Sequence, residues 1–427
     1  MAVIDKLLRE STLSAANSTG RPSLLAFTQA TNKRIFKDLV AEQPTTQPVT
    51  ALYGIRVLNP DDKMTFYGGA TFAGKMNKEE RKKVPALDTS ASINKGDLFM
   101  FEDVVFKALT DSPFAGTTET ETDDIMNEAI AASTVRMVSE GAATDQFESG
   151  EPDISEAGFR IDKWQATVKS RKLKTTLSVE LAQDLEANGF DAPDFIENIL
   201  ATQMAEEINK DVLQSLITVS NRYKVVGVSS KGILDLTKIS GGAQEQSRTL
   251  YSYICEMVAS VQRNTSFSPT YVVASSRCCA ILAASGWVKK GDDAKGAPDS
   301  SFGMLNIGLP IYCDVNSPCD YVITGVNVDM GEGQVVSSLF YAPYVEGLED
   351  VEDTGDASVG EFKVIVDPES LQPTIALLAR YALTANPYTV AKDEEEARII
   401  DGSDMDTLAG QSKLSSYLGV KLPPLEK

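Results

Sequence analysis

The sequence predicts a soluble chain of α/β or α+β class built around one long amphipathic helix. Three observations lead there. Apolar residues recur every four positions from Ile196 to Leu216, the spacing of a buried helix face. Beyond Lys224, helical and strand-like segments alternate. No uninterrupted apolar run approaches the roughly 18 residues that span a bilayer. At 427 residues the chain has room for two to three domains of roughly 150 residues.

Taken in order, residues 1–48 read as a polar N-terminal arm. Within it, Leu25, Ile35 and Leu39 form an apolar stripe, with Lys33, Arg34 and Lys37 on other faces. Such a stripe fits an arm that docks on a neighbour or an ordinary surface helix, and the residues alone favour the second. The run VTALYGIRV (Val49–Val57) is strand-like. Tyr67–Leu87 is Gly-rich and charged with weak periodicity, so it reads as a long loop or hairpin extension. Asp97–Leu109 returns to strand character. Thr117–Asp124 is a polar linker that ends in a cap, Asp124, for a helix over Ile125–Glu140. Gly141–Ala157 is again linker-like.

From Gly158 the text GFRIDKWQATVKSRKLK alternates basic and apolar residues and reads as the strands of a long hairpin or ribbon. A short helix from Ser178 carries Leu181 and Leu185 and closes at Gly189. Pro193 fits the first turn of the long helix. Its stripe is Ile196, Leu200, Met204, Ile208, Val212 and Leu216, widened by Ile199 and Leu213. Further helices are expected over Leu250–Arg263 and Ser276–Ser285. Strands are expected over Thr270–Ala274, Ile311–Asp314, Tyr321–Thr324, Val335–Tyr341, Phe362–Val366 and Thr374–Thr384. Glu346–Asp356 reads as an acidic solvated loop, and the chain from Lys392 onward as a polar tail.

The side-chain inventory argues against most catalytic chemistry. There is no histidine, which removes the commonest general base and transition-metal ligand. The five cysteines (255, 278, 279, 313 and 319) show no C-x-x-C spacing and read as reduced thiols. No P-loop, dinucleotide fingerprint or nucleophile elbow occurs. Asp350, Glu352, Thr354, Gly355, Asp356 and Glu361 have the spacing of a calcium loop, but their flanks read as strand and loop, so a plain acidic loop is preferred. No cofactor or metal is expected, and the chain is not expected to be an enzyme. The formal net charge of −21 disfavours sequence-specific nucleic-acid binding. The most basic patch is Lys75, Lys78, Arg81, Lys82 and Lys83. These residues are candidate intersubunit contacts, with Glu349, Asp350, Glu352 and Asp353 as the complementary acidic set on a neighbouring copy.

A set of segments carries a more specific signal. GFRIDK (Gly158–Lys163), KSRKLK (Lys169–Lys174), SVELAQDL (Ser178–Leu185), ILAT (Ile199–Thr202), EINK (Glu207–Lys210), VVASSR (Val272–Arg277), YAPYV (Tyr341–Val345) and RYALTANPY (Arg380–Tyr388) occur in order. In this the chain resembles the major capsid proteins of T-even-type, contractile-tailed bacteriophages. The resemblance implies an α+β, HK97-like fold with a peripheral domain, an axial domain, an extended loop, an N-terminal arm and a small insertion domain. The implied segments are 1–48 (arm), 49–150 (extended loop and insertion region) and 151–224 (peripheral domain with spine helix). Residues 225–361 would be the axial domain, 362–392 the peripheral return strand and 393–427 a C-terminal tail.

The same resemblance implies a virion shell protein that self-assembles into hexamers, and possibly pentamers, of an icosahedral head in the bacterial host cytoplasm. Its partners would be copies of itself together with scaffold, portal and possibly decoration or vertex proteins. It would enclose DNA without reading it and would contact no membrane. A vertex subunit of the same family is the alternative role; a cellular compartment shell and a soluble enzyme are weaker ones. Relatives are trimmed after a Leu/Ile-x-Glu signal, which Leu8-Arg9-Glu10 matches, and the N-terminus is shorter than the family leads one to expect.

Overall fold

The computed structural model describes residues 35–58, 60, 71–89, 91–115, 122–138, 140–150, 154–176, 178, 192–225, 228–229, 231–239, 241–290, 298, 300–331, 334–344, 361–366, 373–385 and 401–423. The chain divides into two compact units. One comprises Met1–Leu52, Trp164–Gln262 and Phe267–Lys427; the other comprises Tyr53–Lys163 and Arg263–Ser266.

In chain order the elements begin with α1 (Phe36–Leu39), β1 (Ala41–Glu42), β2 (Val49–Leu58), α2 (Lys78–Lys83), β3 (Leu98–Phe101), β4 (Val104–Ala108), α3 (Thr122–Ala131), β5 (Val135–Met137) and α4 (Thr144–Glu148). Next come β6 (Gly158–Thr167), β7 (Lys169–Thr176), α5 (Ala192–Val219), β8 (Ser220–Arg222), β9 (Ile233–Asp235), α6 (Ala243–Thr265), β10 (Tyr271–Ser275) and α7 (Ser276–Ala284). The remainder are β11 (Val288–Lys289), β12 (Gly303–Leu305), β13 (Pro310–Asp314), β14 (Tyr321–Gly325), β15 (Asn327–Asp329), β16 (Val335–Ser337), β17 (Leu339–Pro343), β18 (Glu361–Val366), β19 (Pro373–Ala385) and β20 (Ser412–Lys421). The α+β class is the one expected.

The first unit is layered about an eight-stranded sheet of order β11-β12-β13-β10-β14-β20-β8, with β9 also paired to β20. Strand β10 is buried throughout, and its side chains alternate between two cores. Tyr271 and Val273 face the cluster that contains the α5 stripe. Val272 and Ala274 face Leu250, Ile254 and Met257 of α6 and Cys278, Cys279 and Leu282 of α7. A strand covered on both faces reads as a continuous apolar run, the character of YVVA. Ser275 caps α7 through Oγ, which accepts from the Cys278 N–H.

Helix α5 spans 28 residues, about 42 Å at 1.5 Å per residue. Leu200, Met204, Ile208, Val212 and Leu216 are buried as the four-residue repeat requires. They pack with Ile375, Leu377, Ala379 and Tyr381 of β19. Strand β19 anchors the five-stranded sheet: it pairs with β17, β18 and β7, and β17 pairs in parallel with β1.

Several expectations change. Strands β6 and β7 do not form a hairpin with each other. β6 pairs with β2, and β7 pairs with β19 in an antiparallel register from Thr176↔Thr374 to Lys169↔Tyr381. At their junction the Val168 N–H donates to the Pro48 carbonyl (3.0 Å). The strand expected over Val335–Tyr341 splits at Ser338 into β16, which pairs with β15, and β17. α6 starts seven residues earlier than the apolar pattern suggests. The polar tail contains β20, which lies between β14 and β8 in the large sheet. The sheet that occupies 225–361 therefore also draws on strands from outside that span. The segment from Ile35 is no surface helix. Phe36 and Leu39 lie in the core, and the Phe36 N–H donates to Asn209 Oδ1 (3.1 Å). Asn327 Nδ2 donates to the Asp38 and Val40 carbonyls. Leu25, the Leu8-Arg9-Glu10 match, the short helix expected from Ser178 to Gly189, the Asn386-Pro387-Tyr388 segment and residues 393–400 lie outside the described residues, apart from Ser178 itself.

In the second unit β3, β4 and β5 form a three-stranded sheet over a small core of Ile93, Phe99, Phe106, Met126, Ala129 and Val135. The expected single strand over Asp97–Leu109 is a hairpin. Its two turn residues, Glu102 and Asp103, have φ of 44° and 64°, the conformation of a type I′ turn. The expected helix over Ile125–Glu140 ends at Ala131. Ser133 takes φ 56°, its N–H donates to the Ile130 carbonyl, and the Thr134 N–H donates to the Ala129 carbonyl. That is a Schellman stop with serine in place of the usual glycine. Asp124 lies inside the first turn of α3 and not at its cap, where its charge still suits the helix dipole.

Candidate assembly surfaces

The pair β2–β6 leaves apolar side chains uncovered. Tyr53 and Ile55 on β2 are each 65% exposed, and Phe159 and Ile161 on β6 are 74% and 60% exposed. The cause is local. On β6, Trp164 and Ala166 occupy the buried phase of the period-2 pattern, and Phe159 and Ile161 fall on the opposite phase. Lys163 Nζ lies 5.6 Å from the Tyr53 ring centroid. A two-stranded ribbon is marginal in water by itself, and grouped exposed apolar side chains mark interaction surfaces.

The basic segment is a helix, not the loop expected. Asn77 caps α2: its Oδ1 accepts from the Glu80 N–H (3.0 Å), and Glu80 Oε2 accepts from the Asn77 N–H (3.3 Å). The five basic residues then part ways. Arg81 is 4% exposed; its Nη2 donates to the Asp103 carbonyl (2.7 Å), and its guanidinium lies 4.5 Å from the Phe72 ring centroid. It ties α2 to the β3–β4 turn, so the expected intersubunit role of Arg81 is replaced by an internal one. Lys82 pairs with Glu79 (3.1 Å) in the solvent and holds that carboxyl below its ordinary pKa. Lys78 also has a partner.

Lys75 and Lys83 line a cleft of about 530 Å³ together with Lys107 and Arg136. Val84, Leu98 and Val138 contribute apolar wall. Lys107 and Arg136 are register partners on β4 and β5, so two cations stand directly opposite one another. Like charges so placed repel. Arg136 Nη2 donates to Glu140 Oε1 (2.5 Å), and the Glu140 carboxyl is held below its ordinary pKa by that bond first, then by the charges of Arg136, Lys75 and Lys107. The Lys75 N–H donates to the Glu140 carbonyl (2.9 Å), and Gly74 lies so close that a Cβ there would sit 2.3 Å from the same oxygen. Sequence reasoning missed Lys107 and Arg136. The strand pairing that brings them beside Lys75 and Lys83 leaves no local signal. Glu349, Asp350, Glu352 and Asp353 lie outside the described residues. So does the calcium-like loop, except Glu361, which lies on β18 and pairs with Leu378 of β19. Among the described residues there is no group of three or more metal-ligating side chains, and no helix is long and apolar enough to cross a membrane.

In the first unit a polar clamp holds the long helix to the sheet. Arg171 on β7 donates to Tyr381 Oη (2.6 Å) and Glu207 Oε2 (3.0 Å), and lies 3.1 Å from Asp211 Oδ2. Tyr381 donates to Asp211 Oδ2 (2.5 Å). Burial, followed by the Asp211 bond and charge, pushes the Tyr381 phenol far above its ordinary pKa, so it remains a donor. Two strands and one helix are fixed by four side chains in this way.

The chain thus combines a long clamped helix, a sheet closed by strands distant in sequence and a ribbon whose exposed apolar side chains suit contact with other chains. The comparison with known families gives the particular group: the sequence matches the model described as "Major capsid protein Gp23" over residues 17–420, and the chain belongs to that family of phage capsid proteins. The chain is 56% identical to the capsid vertex protein of Enterobacteria phage T4 over 100% of its own length and 99% of the relative's. It is 27% identical to the major capsid protein of the same phage, over 93% of this chain and 78% of that one. Among solved structures, the capsid of Ralstonia phage GP4 aligns over 96% of this chain and 97% of that chain, with a TM-score of 0.43 and 8% identity.

Proposed function

We propose that this chain is the vertex subunit of an icosahedral phage head and forms its pentamers. The observation that carries the reading is the end-to-end 56% identity to a capsid vertex protein, set against 27% to the major capsid protein of the same phage. The hexamer-forming role expected from the sequence is thereby the less supported of the two. The bare apolar side chains of the β2–β6 ribbon support assembly physically, since their burial against neighbours would supply an association energy that the single chain forgoes. The absence of histidine and of nucleophile or phosphate motifs supports a structural role over a catalytic one. Assembly would occur in the host cytoplasm with scaffold and portal proteins, and the acidic wall would enclose DNA without holding it.

The test is electron cryomicroscopy of phage heads carrying a tagged copy of this chain. Extra density confined to the five-fold positions is expected. Density distributed over the hexamers would restore the major-capsid role, and heads that lack the tag altogether would remove the shell role.

A further inference from the structure

The cleft in the second unit has more positive charge than its own fold uses. Arg136 is matched by Glu140, and Glu80 is engaged in capping α2. Lys75, Lys83 and Lys107 have no ion-pair partner among the described residues. The facing pair Lys107–Arg136 is unfavourable as it stands and becomes favourable once an anion lies between the strands' side chains. The volume of about 530 Å³ is within the range of ligand-binding clefts, roughly 300–1,000 Å³.

The walls narrow the choice of anion. Val84, Leu98 and Val138 add apolar surface, which suits a peptide that mixes carboxylates with aliphatic side chains better than it suits a phosphate backbone. A chain of formal net charge −21 also repels nucleic acid. Within this sequence the pattern occurs at residues 348–353, Leu-Glu-Asp-Val-Glu-Asp, where a leucine precedes and a valine separates two carboxylate pairs. The acidic run at 393–396, Asp-Glu-Glu-Glu, has no aliphatic member. We infer that the cleft formed by Lys75, Lys83, Lys107 and Arg136 receives the carboxylate segment 346–356 of a second copy of this chain. The inference rests on the shell reading only for the proximity of the two copies.

The test uses the full unassembled chain and a fluorescent synthetic peptide of residues 344–358, followed by anisotropy. Salt-sensitive binding is expected. It should weaken about tenfold or more in Lys75→Glu/Lys83→Glu, and by a similar factor when the peptide's Asp and Glu are replaced by Asn and Gln. Both lysines are exposed, so the variant should keep the wild-type far-UV spectrum and melting temperature. The milder Lys83→Gln should give an intermediate loss. The inference is overturned by an absence of peptide binding, by binding that the variants leave unchanged, or by equal displacement with a DNA duplex of matched charge. Head assembly is scored separately by microscopy. Particles without peptide binding would remove the cleft assignment alone, whereas peptide binding without any particles would retain it and remove the shell reading.

Discussion

Helix α5 and the β2–β6 ribbon are both long elements rich in apolar residues, yet they treat those residues in opposite ways. Along α5, Leu200, Met204, Ile208, Val212 and Leu216 are buried in the chain's own core. Along the ribbon, Tyr53, Ile55, Phe159 and Ile161 remain in water. The first element spends its apolar surface on folding the subunit, and the second leaves its surface open for the association proposed above. A subunit that did only the first would be a stable monomer. One that did only the second would have no fixed shape to present.

Substitutions can separate the two roles. The largest loss of stability is expected from Ile208→Ala, which empties a fully buried site: about 2–5 kcal/mol in denaturant unfolding. A loss below about 1 kcal/mol would mean that the helix is not the internal strut described. Next comes Tyr381→Phe, which removes the hydroxyl shared by Arg171 and Asp211. It should cost about 1–3 kcal/mol in the same measurement, because charged groups lose a partner. Phe159→Ser/Ile161→Ser should leave unfolding within about 0.5 kcal/mol of wild type, as exposed substitutions do. The same variant should sharply reduce the yield of particles counted by microscopy; full yield would erase the contrast with α5.

The smallest effect concerns Glu140. Its folded pKa is depressed below the ordinary 4.5 by Arg136, so its contribution is present above that value and is lost as pH falls through the folded pKa. Carbon-detected NMR titration should place its midpoint below 4.5 in the wild type and move it upward in Arg136→Gln. An unmoved midpoint would show that the cleft's charges do not act on it.

How much of this was legible in the sequence follows from how local each signal is. The α5 stripe lies within one segment and repeats at helical spacing, so the residues alone place it. Strand β10 is readable because burial on both faces gives an unbroken apolar run. Strand β20 was hidden because Ser412, Ser415 and Ser416 fill buried positions where aliphatic residues would be expected. Ser415 shares a hydrogen bond with the buried Ser220 hydroxyl (2.9 Å), a partner that lies 195 residues away. The stop of α3 was hidden because serine, not glycine, occupies its left-handed position. The basic cluster was visible as charge, but its division into an internal tie, a surface pair and a cleft wall depended on the strands behind it. Arg81 shows the limit: KEERKK gives no reason to bury one of its cations, and only the carbonyl of Asp103 and the ring of Phe72 supply it.

The position of β20 also sets a schedule. Ribosomes release the chain from its N-terminus, and domains generally fold as units. Strands β14 and β8 have no β20 between them until residues 412–421 have been made. Until then the nascent sheet carries open edges, which other chains can pair with. A message cut short before that point would yield a subunit with its large sheet divided. Synthesis through residue 421 therefore serves as a quality check, because β20, the last strand in sequence among the described residues, is the one that unites the sheet.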